Sequence, residues 1–199
     1  MVVKPLSVSN ALKNYIRIDM MKHCNNIFLR GLKPADIEYL ARYSDDTDLP
    51  FSQPFQSFFE QETIQNPPAT PWDNSLPEAS VIGFAIMEDE HLVGQIHLSA
   101  VNLEASSCSI TMGIAKKGDR NRGLGSCALI MALRYSFVSL GLNQVSAHTL
   151  SPNESAKQCL KNTGFKEVGV EKNVFPTKRG FIHRHHFIIN RQDFLTRYP

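Results

Sequence analysis

At 199 residues, 42% of them apolar and 20% charged, the chain has the size and composition of one folded domain rather than of a disordered or fibrous chain. The net charge of +2 hides an asymmetry: residues 43–115 carry eleven acids and no Lys or Arg, whereas residues 116–199 carry fourteen Lys or Arg against five acids. The longest apolar run, Cys127 to Leu133, is far too short to span a bilayer, and residues 1–14 lack the apolar segment of a signal peptide, so a cytoplasmic protein with no membrane role is expected. Cys24, Cys108, Cys127 and Cys159 are widely spaced and form no CxxC pair, which reads as four reduced thiols rather than a disulfide framework or a zinc site.

In chain order, residues 1–25 form an N-terminal extension, and Asn26 to Leu32 reads as a short strand. Lys33-Pro34-Ala35-Asp36 opens a helix through about Arg42, with Pro34 and Asp36 in its first turn. Ser57 to Gln65 allows an amphipathic helix, and Asn66 to Ser80 a long Pro-rich loop of the kind that is usually functional. Val81 to Met87 and Leu92 to Val101 form a hairpin around Glu88 to His91, with Gly94 marking a bulge. A third strand runs from about Cys108 to Ala115. A Gly-containing loop then enters a helix from about Gly123 to Leu140, stopped by Gly141. Gln144 to Leu150 is a strand and Asn153 starts a helix ending near Gly164. Strands near Glu167–Phe175 and Arg184–Asn190 finish an α/β arrangement of one mixed sheet with flanking helices.

The chemistry concentrates at Arg120-Asn121-Arg122-Gly123-Leu124-Gly125-Ser126. Two glycines at a helix start expose backbone N–H groups, and with the helix dipole these make a cradle for phosphate. Lys116, Lys117, Arg120 and Arg122 add positive charge around it. The loop is not a Walker P-loop, because no Gly-Lys-Ser/Thr follows. Gly123-x-Gly125-x-x-Ala128 matches the dinucleotide pattern formally, but Val145 to Leu150 supplies no acid for a ribose. A glycine-rich helix start without any ligand stays open on this motif alone.

Arg120-x-x-Gly123-x-Gly125 resembles the (Gln/Arg)-x-x-Gly-x-(Gly/Ala) signature of the GNAT N-acetyltransferases, and Asn153-Glu154-Ser155-Ala156 through Gly164-Phe165 resembles that family's second signature at the right separation. Gly180-Phe181-Ile182-His183 before a last strand is similar to the subgroup of ribosomal-protein alanine and spermidine acetyltransferases. The resemblance runs from about Ile27 to Phe194. It implies a single domain over 1–199: a mostly antiparallel mixed sheet whose central parallel strand pair, Cys108–Ala115 and Gln144–Leu150, splays apart. It also implies acetyl-CoA as cosubstrate. Ile114, Ala115 and Lys116 would bond the pantetheine arm and carbonyl, and Arg120, Asn121 and the N–H groups of Arg122, Gly123, Leu124, Gly125 and Ser126 would take the pyrophosphate. Asn153 and Lys161 would also touch the cofactor, though Asn153 has a sufficient role as a helix cap and Lys161 as a solvated lysine.

The family's acid, a Tyr four residues before the Gly-Phe pair, is replaced here by Leu160, which leaves the general acid unassigned. Glu104 and His148 are the residues considered as a base. His183 and His185 share a strand face, but no third ligand points to a metal. The acidic stretch suggests a cationic acceptor, either a protein N-terminus or a small amine; nucleic acid is disfavoured and a homodimer is compatible. A non-catalytic module that only binds acyl-CoA is the alternative.

Overall fold

Alternation of apolar and polar residues in consecutive segments builds the centre of an eight-stranded sheet. The computed structural model describes residues 24, 26–42, 64–65, 80–177 and 180–199. In chain order these form β1 (Ile27–Gly31), α1 (Pro34–Ala41), β2 (Ile64–Gln65), β3 (Ser80–Glu88), β4 (His91–Asn102), β5 (Ser107–Ile114), α2 (Leu124–Arg134), β6 (Gln144–Leu150), α3 (Glu154–Asn162), β7 (Lys166–Thr177), β8 (Gly180–Asn190) and α4 (Arg191–Arg197). The strand order is β1-β3-β4-β5-β6-β8-β7, with the two-residue β2 lying parallel to β3. Of the main path only β5 and β6 run parallel; every other neighbour is antiparallel. A mixed α/β sheet with flanking helices was the expectation, and it is what forms.

One face of the sheet is apolar. Ile82, Phe84 and Ile86 of β3, Ile96 and Leu98 of β4, Cys108 and Ile110 of β5, and Val145 and Ala147 of β6 join one core with α2. Cys127 through Leu133 of α2 are all buried, which explains a helix apolar around nearly its whole girth. The helix widens at Tyr135–Ser139 into a π-turn, where the Leu140 N–H donates to the Tyr135 carbonyl at 3.0 Å, and it ends at Gly141 with φ +70°. The other face carries a smaller cluster: Leu32, Leu40, Ala85, Met87 and Ala115, with α1 laid over it. At the start of α1, Asp36 accepts from the Lys33 N–H at 2.8 Å and from both Arg30 guanidinium nitrogens at 2.6 and 2.7 Å. Burial alone would raise the Asp36 carboxyl, but these donors outweigh it and hold the group below its ordinary value.

Three expectations are revised. The cysteines are not all free: Cys24 and Cys127 form a disulfide, Cα to Cα 5.8 Å, while Cys108 and Cys159 are thiols. Spacing could not show a pair 103 residues apart; it arises because the chain entering β1 passes over α2. The helix expected from Ser57 lies outside the described residues except at Ile64–Gln65, which are strand. The Pro-rich loop, and the N-terminal extension apart from Cys24, also lie outside them. Finally, α4 was not anticipated. Seven residues are too short for a periodic signal, yet Phe194 is fully buried against Phe137 (centroids 5.3 Å) and Tyr198 (5.1 Å).

Candidate functional site

The parallel pair is a fork. Ser107, Cys108 and Ser109 pair with Gln144, Val145 and Ser146, and pairing stops there, although β5 continues to Ile114 and β6 to Leu150. Two serines close the vertex: Ser109 Oγ lies 2.8 Å from Ser146 Oγ, which donates to the Cys108 carbonyl at 3.2 Å. Beyond the vertex β5 stays bonded to β4 through Gly94↔Ile114, so only its β6-facing edge is open. Backbone groups along such an edge need partners, and an extended amide-bearing ligand supplies them.

Gly94 is what lets β4 and β5 stay together at the mouth of the fork. A Cβ there would lie 2.3 Å from the Gly113 carbonyl oxygen, a backbone atom that cannot move aside. The bulge expected at Gly94 is present, since the register shifts between Ile86 and Met87. The extra residue is Val93, whose carbonyl accepts from the Ala115 N–H at 3.0 Å.

After β5 a 3₁₀ turn at Lys117–Asp119 carries the chain to the glycine loop. Asn121 (φ +61°) and Gly123 (φ +85°) take left-handed conformations on either side of Arg122 at the start of α2, an arrangement of the kind that lets successive N–H groups face an anion. Nothing lies within 4 Å of a Cβ built on Gly123, so the space beside it is open. The arginines play a different part from the one their charge suggested. Arg120 folds back, its Nε donating to the Ile114 carbonyl at 3.2 Å and an Nη to the Ala115 carbonyl at 3.0 Å. Arg122 grips both Glu88 oxygens at 2.8 and 3.1 Å and Asp119 at 3.1 Å. Both arginines brace the loop. Lys116 Nζ lies 5.8 Å over the Tyr39 ring of α1.

α3 closes the site from the other side. Asn153 caps it, accepting from the Ala156 N–H at 3.1 Å and from Ser155 Oγ at 3.0 Å. Cys159 Sγ lies 3.4 Å from Ser126 Oγ in the first turn of α2. Burial pushes that thiol above its ordinary value, against a smaller pull from Ser126. Leu160 is buried in the core. Lys161 is paired with Glu167 at 3.2 Å.

The two residues considered as a base part company. Glu104 sits exposed in the turn between β4 and β5, at the closed end of the fork; the whole length of β5, about 26 Å at strand rise, separates it from the mouth. His148 lies on β6 beyond the last paired rung, at the open part. It is exposed, yet partial desolvation of the ring, together with Arg184 and His186, holds its pKa below the ordinary value. His183 and His185 have protein partners, Asn173 N–H at 3.0 Å and Glu167 at 2.6 Å.

This architecture has a family. A model of the acetyltransferase (GNAT) domain matches residues 26–166, well over half of the chain. The chain belongs to the GNAT acetyltransferase family. No curated protein matches it. Among solved structures it is similar to a chimera of the Vibrio cholerae spermidine N-acetyltransferase SpeG with hSSAT (20% identity, TM-score 0.69, 85% of this chain and 98% of that one). It is similar also to the Vibrio cholerae spermidine N-acetyltransferase in complex with CoA and spermine (18%, 0.65, 85% and 98%) and to a dodecameric form of that enzyme (20%, 0.65, 87% and 99%). As a GNAT member it is an acetyl-CoA-dependent N-acetyltransferase, and the fork and glycine loop are compatible with that cosubstrate: one leaves strand edge unpaired beside the pantetheine amides, the other is a helix start of the kind that suits phosphate.

Sequence reasoning passed over Gln95 and His97. Both are polar and buried (4% and 3% exposed) in the middle of β4, on the face away from α2. In β4 they alternate with Ile96 and Leu98, so a period-2 reading assigns them to solvent. Desolvation pushes the His97 pKa down to about 4, so this imidazole is neutral at neutral pH. No helix of the described residues is long and apolar enough to cross a membrane.

Proposed function

We propose that this GNAT protein acetylates a cationic primary amine of the polyamine class at the mouth of the β5–β6 fork. The observation that carries this is the loss of pairing after Ser109/Ser146, which leaves an edge of β5 open beside an anion cradle. Bound acetyl-CoA supplies the activated acyl group. Around it the backbone of Ile114, Ala115 and Lys116 orients the arm and the thioester carbonyl, and the N–H groups of Arg122 to Ser126 receive the pyrophosphate. Arg120 and Arg122 keep that backbone in place, while Asn153 lines the entry as it caps α3.

A primary amine with a lysine-like pKa of ~10.4 is protonated at neutral pH and must lose a proton before attack. His148 is placed to pass that proton to solvent: it is exposed, beyond the vertex, and kept neutral by its surroundings. Glu104 has no part in this chemistry. Leu160 offers no hydroxyl, so protonation of the leaving sulfur falls to water. The choice of amine draws on the acidic balance of residues 43–115 and on the spermidine and spermine named for the structural neighbours.

The test is thiol release from acetyl-CoA with spermidine, and in parallel with a peptide bearing an N-terminal alanine. Spermidine-dependent release that falls ~10- to 100-fold in His148→Ala supports the proposal. Release with the peptide alone would move the substrate class to protein N-termini.

A further inference from the structure

The polar face of β4 contains an atom that the fold does not satisfy. Gln95 is 4% exposed, and its side-chain oxygen is fully buried without a hydrogen-bond partner. Buried side-chain oxygens of this kind nearly always have a partner, and an unsatisfied one costs stability, so it calls for an explanation. Its position offers one. Gln95 stands opposite Gly113 in the β4–β5 ladder, one residue before Ile114, at the end of β5 where the fork is open. Its other cross-strand neighbour is Ala85, which belongs to the cluster shared with α1 and Ala115. Gln95 therefore sits on the face opposite α2, beside the open part of the fork.

We infer that Gln95 is a positioning residue for the acceptor, its side-chain oxygen accepting a hydrogen bond from the incoming amine beside Ile114. The inference rests on the amine acetylation proposed above and adds to it a specific contact. An amide oxygen suits this role because it accepts from an ammonium and equally from the neutral amine that follows, so the substrate stays in register as its proton leaves. The next residue on the same face, His97, is uncharged at neutral pH and adds no repulsion toward a cation.

The role makes stability and affinity move in opposite directions, which a packing role does not. Gln95→Met removes the unsatisfied oxygen and keeps the volume. Its Tm is expected to rise by a few degrees, the KM for spermidine to rise about tenfold, and the Kd for acetyl-CoA to stay as in wild type. Gln95→Glu keeps an acceptor oxygen in place, and its KM is expected within about threefold of wild type. An unchanged KM in Gln95→Met, with wild type turning over, overturns this inference alone. A loss in Gln95→Glu as large as in Gln95→Met also overturns it, by assigning the contact to the amide N–H. Wild type that binds acetyl-CoA but acetylates neither spermidine nor the peptide overturns this inference and the proposed function together.

Discussion

The two faces of the central sheet are made by the same strands and do different work. On the α2 side, Ile96 and Leu98 of β4, Ile110 of β5 and Val145 of β6 are sealed into a core with Phe137 and Leu129. One residue along each strand, the opposite face carries Gln95, His97, Ser109, Ser146 and His148. The first face gains by excluding water from hydrocarbon. The second retains polar groups beside the smaller apolar cluster under α1, at some cost to stability. A polar residue in mid-strand is thus informative only once its burial is known.

The contrast can be broken most forcefully from the apolar side. Phe137 is wholly buried in the core, so Phe137→Ala should lower unfolding free energy by ~3–5 kcal/mol in denaturant titration. Next comes the covalent tie on the same side. Cys24–Cys127 closes a 103-residue separation, and its reduction should cost ~2–4 kcal/mol. Thiol titration of the unfolded, unreduced chain should find the two thiols of Cys108 and Cys159, rising to four after reduction.

The polar face should answer to pH instead. The folded-state pKa of His97 lies at about 4, below the ordinary 6.5, so the unfolded chain binds the proton first as pH falls. The stability it contributes is present above pH 6.5 and is lost as pH drops from 6.5 toward 4, by about 3 kcal/mol in all. His97→Phe should flatten that part of the stability-versus-pH curve. The smallest effect is expected at the rim of the site. Asn153→Ala removes the α3 cap and should cost ~1 kcal/mol, read as a small drop in Tm.

Much of the fold was legible because its signals are local. The β3–β4 hairpin shows in two mainly apolar runs either side of the polar Glu88–His91 stretch, α2 in its helical spacing and Gly141, and the Gly94 bulge in a glycine set inside a strand. The glycine loop was legible as a helix start that needs glycine, since Gly123 does adopt the left-handed conformation that favours it. What stayed hidden was relational. Arg120 and Arg122 read as free charge, and only the folded chain shows them engaged with Ile114, Ala115, Glu88 and Asp119. The disulfide joins segments whose proximity depends on packing of β1 against α2. Gln95 carried no signal of its own, because a one-dimensional pattern records alternation but not what covers each face.

The central claim is that the open edge of β5 and the glycine cradle together hold acetyl-CoA. Calorimetric titration with acetyl-CoA, on the wild type and on Gly123→Trp, tests it most directly. The indole would project into the open space beside Gly123, so one-to-one binding is expected for wild type and no measurable heat for the variant, both proteins showing the same far-UV circular dichroism. Wild type that fails to bind acetyl-CoA, or a folded Gly123→Trp that binds it equally well, would contradict the account.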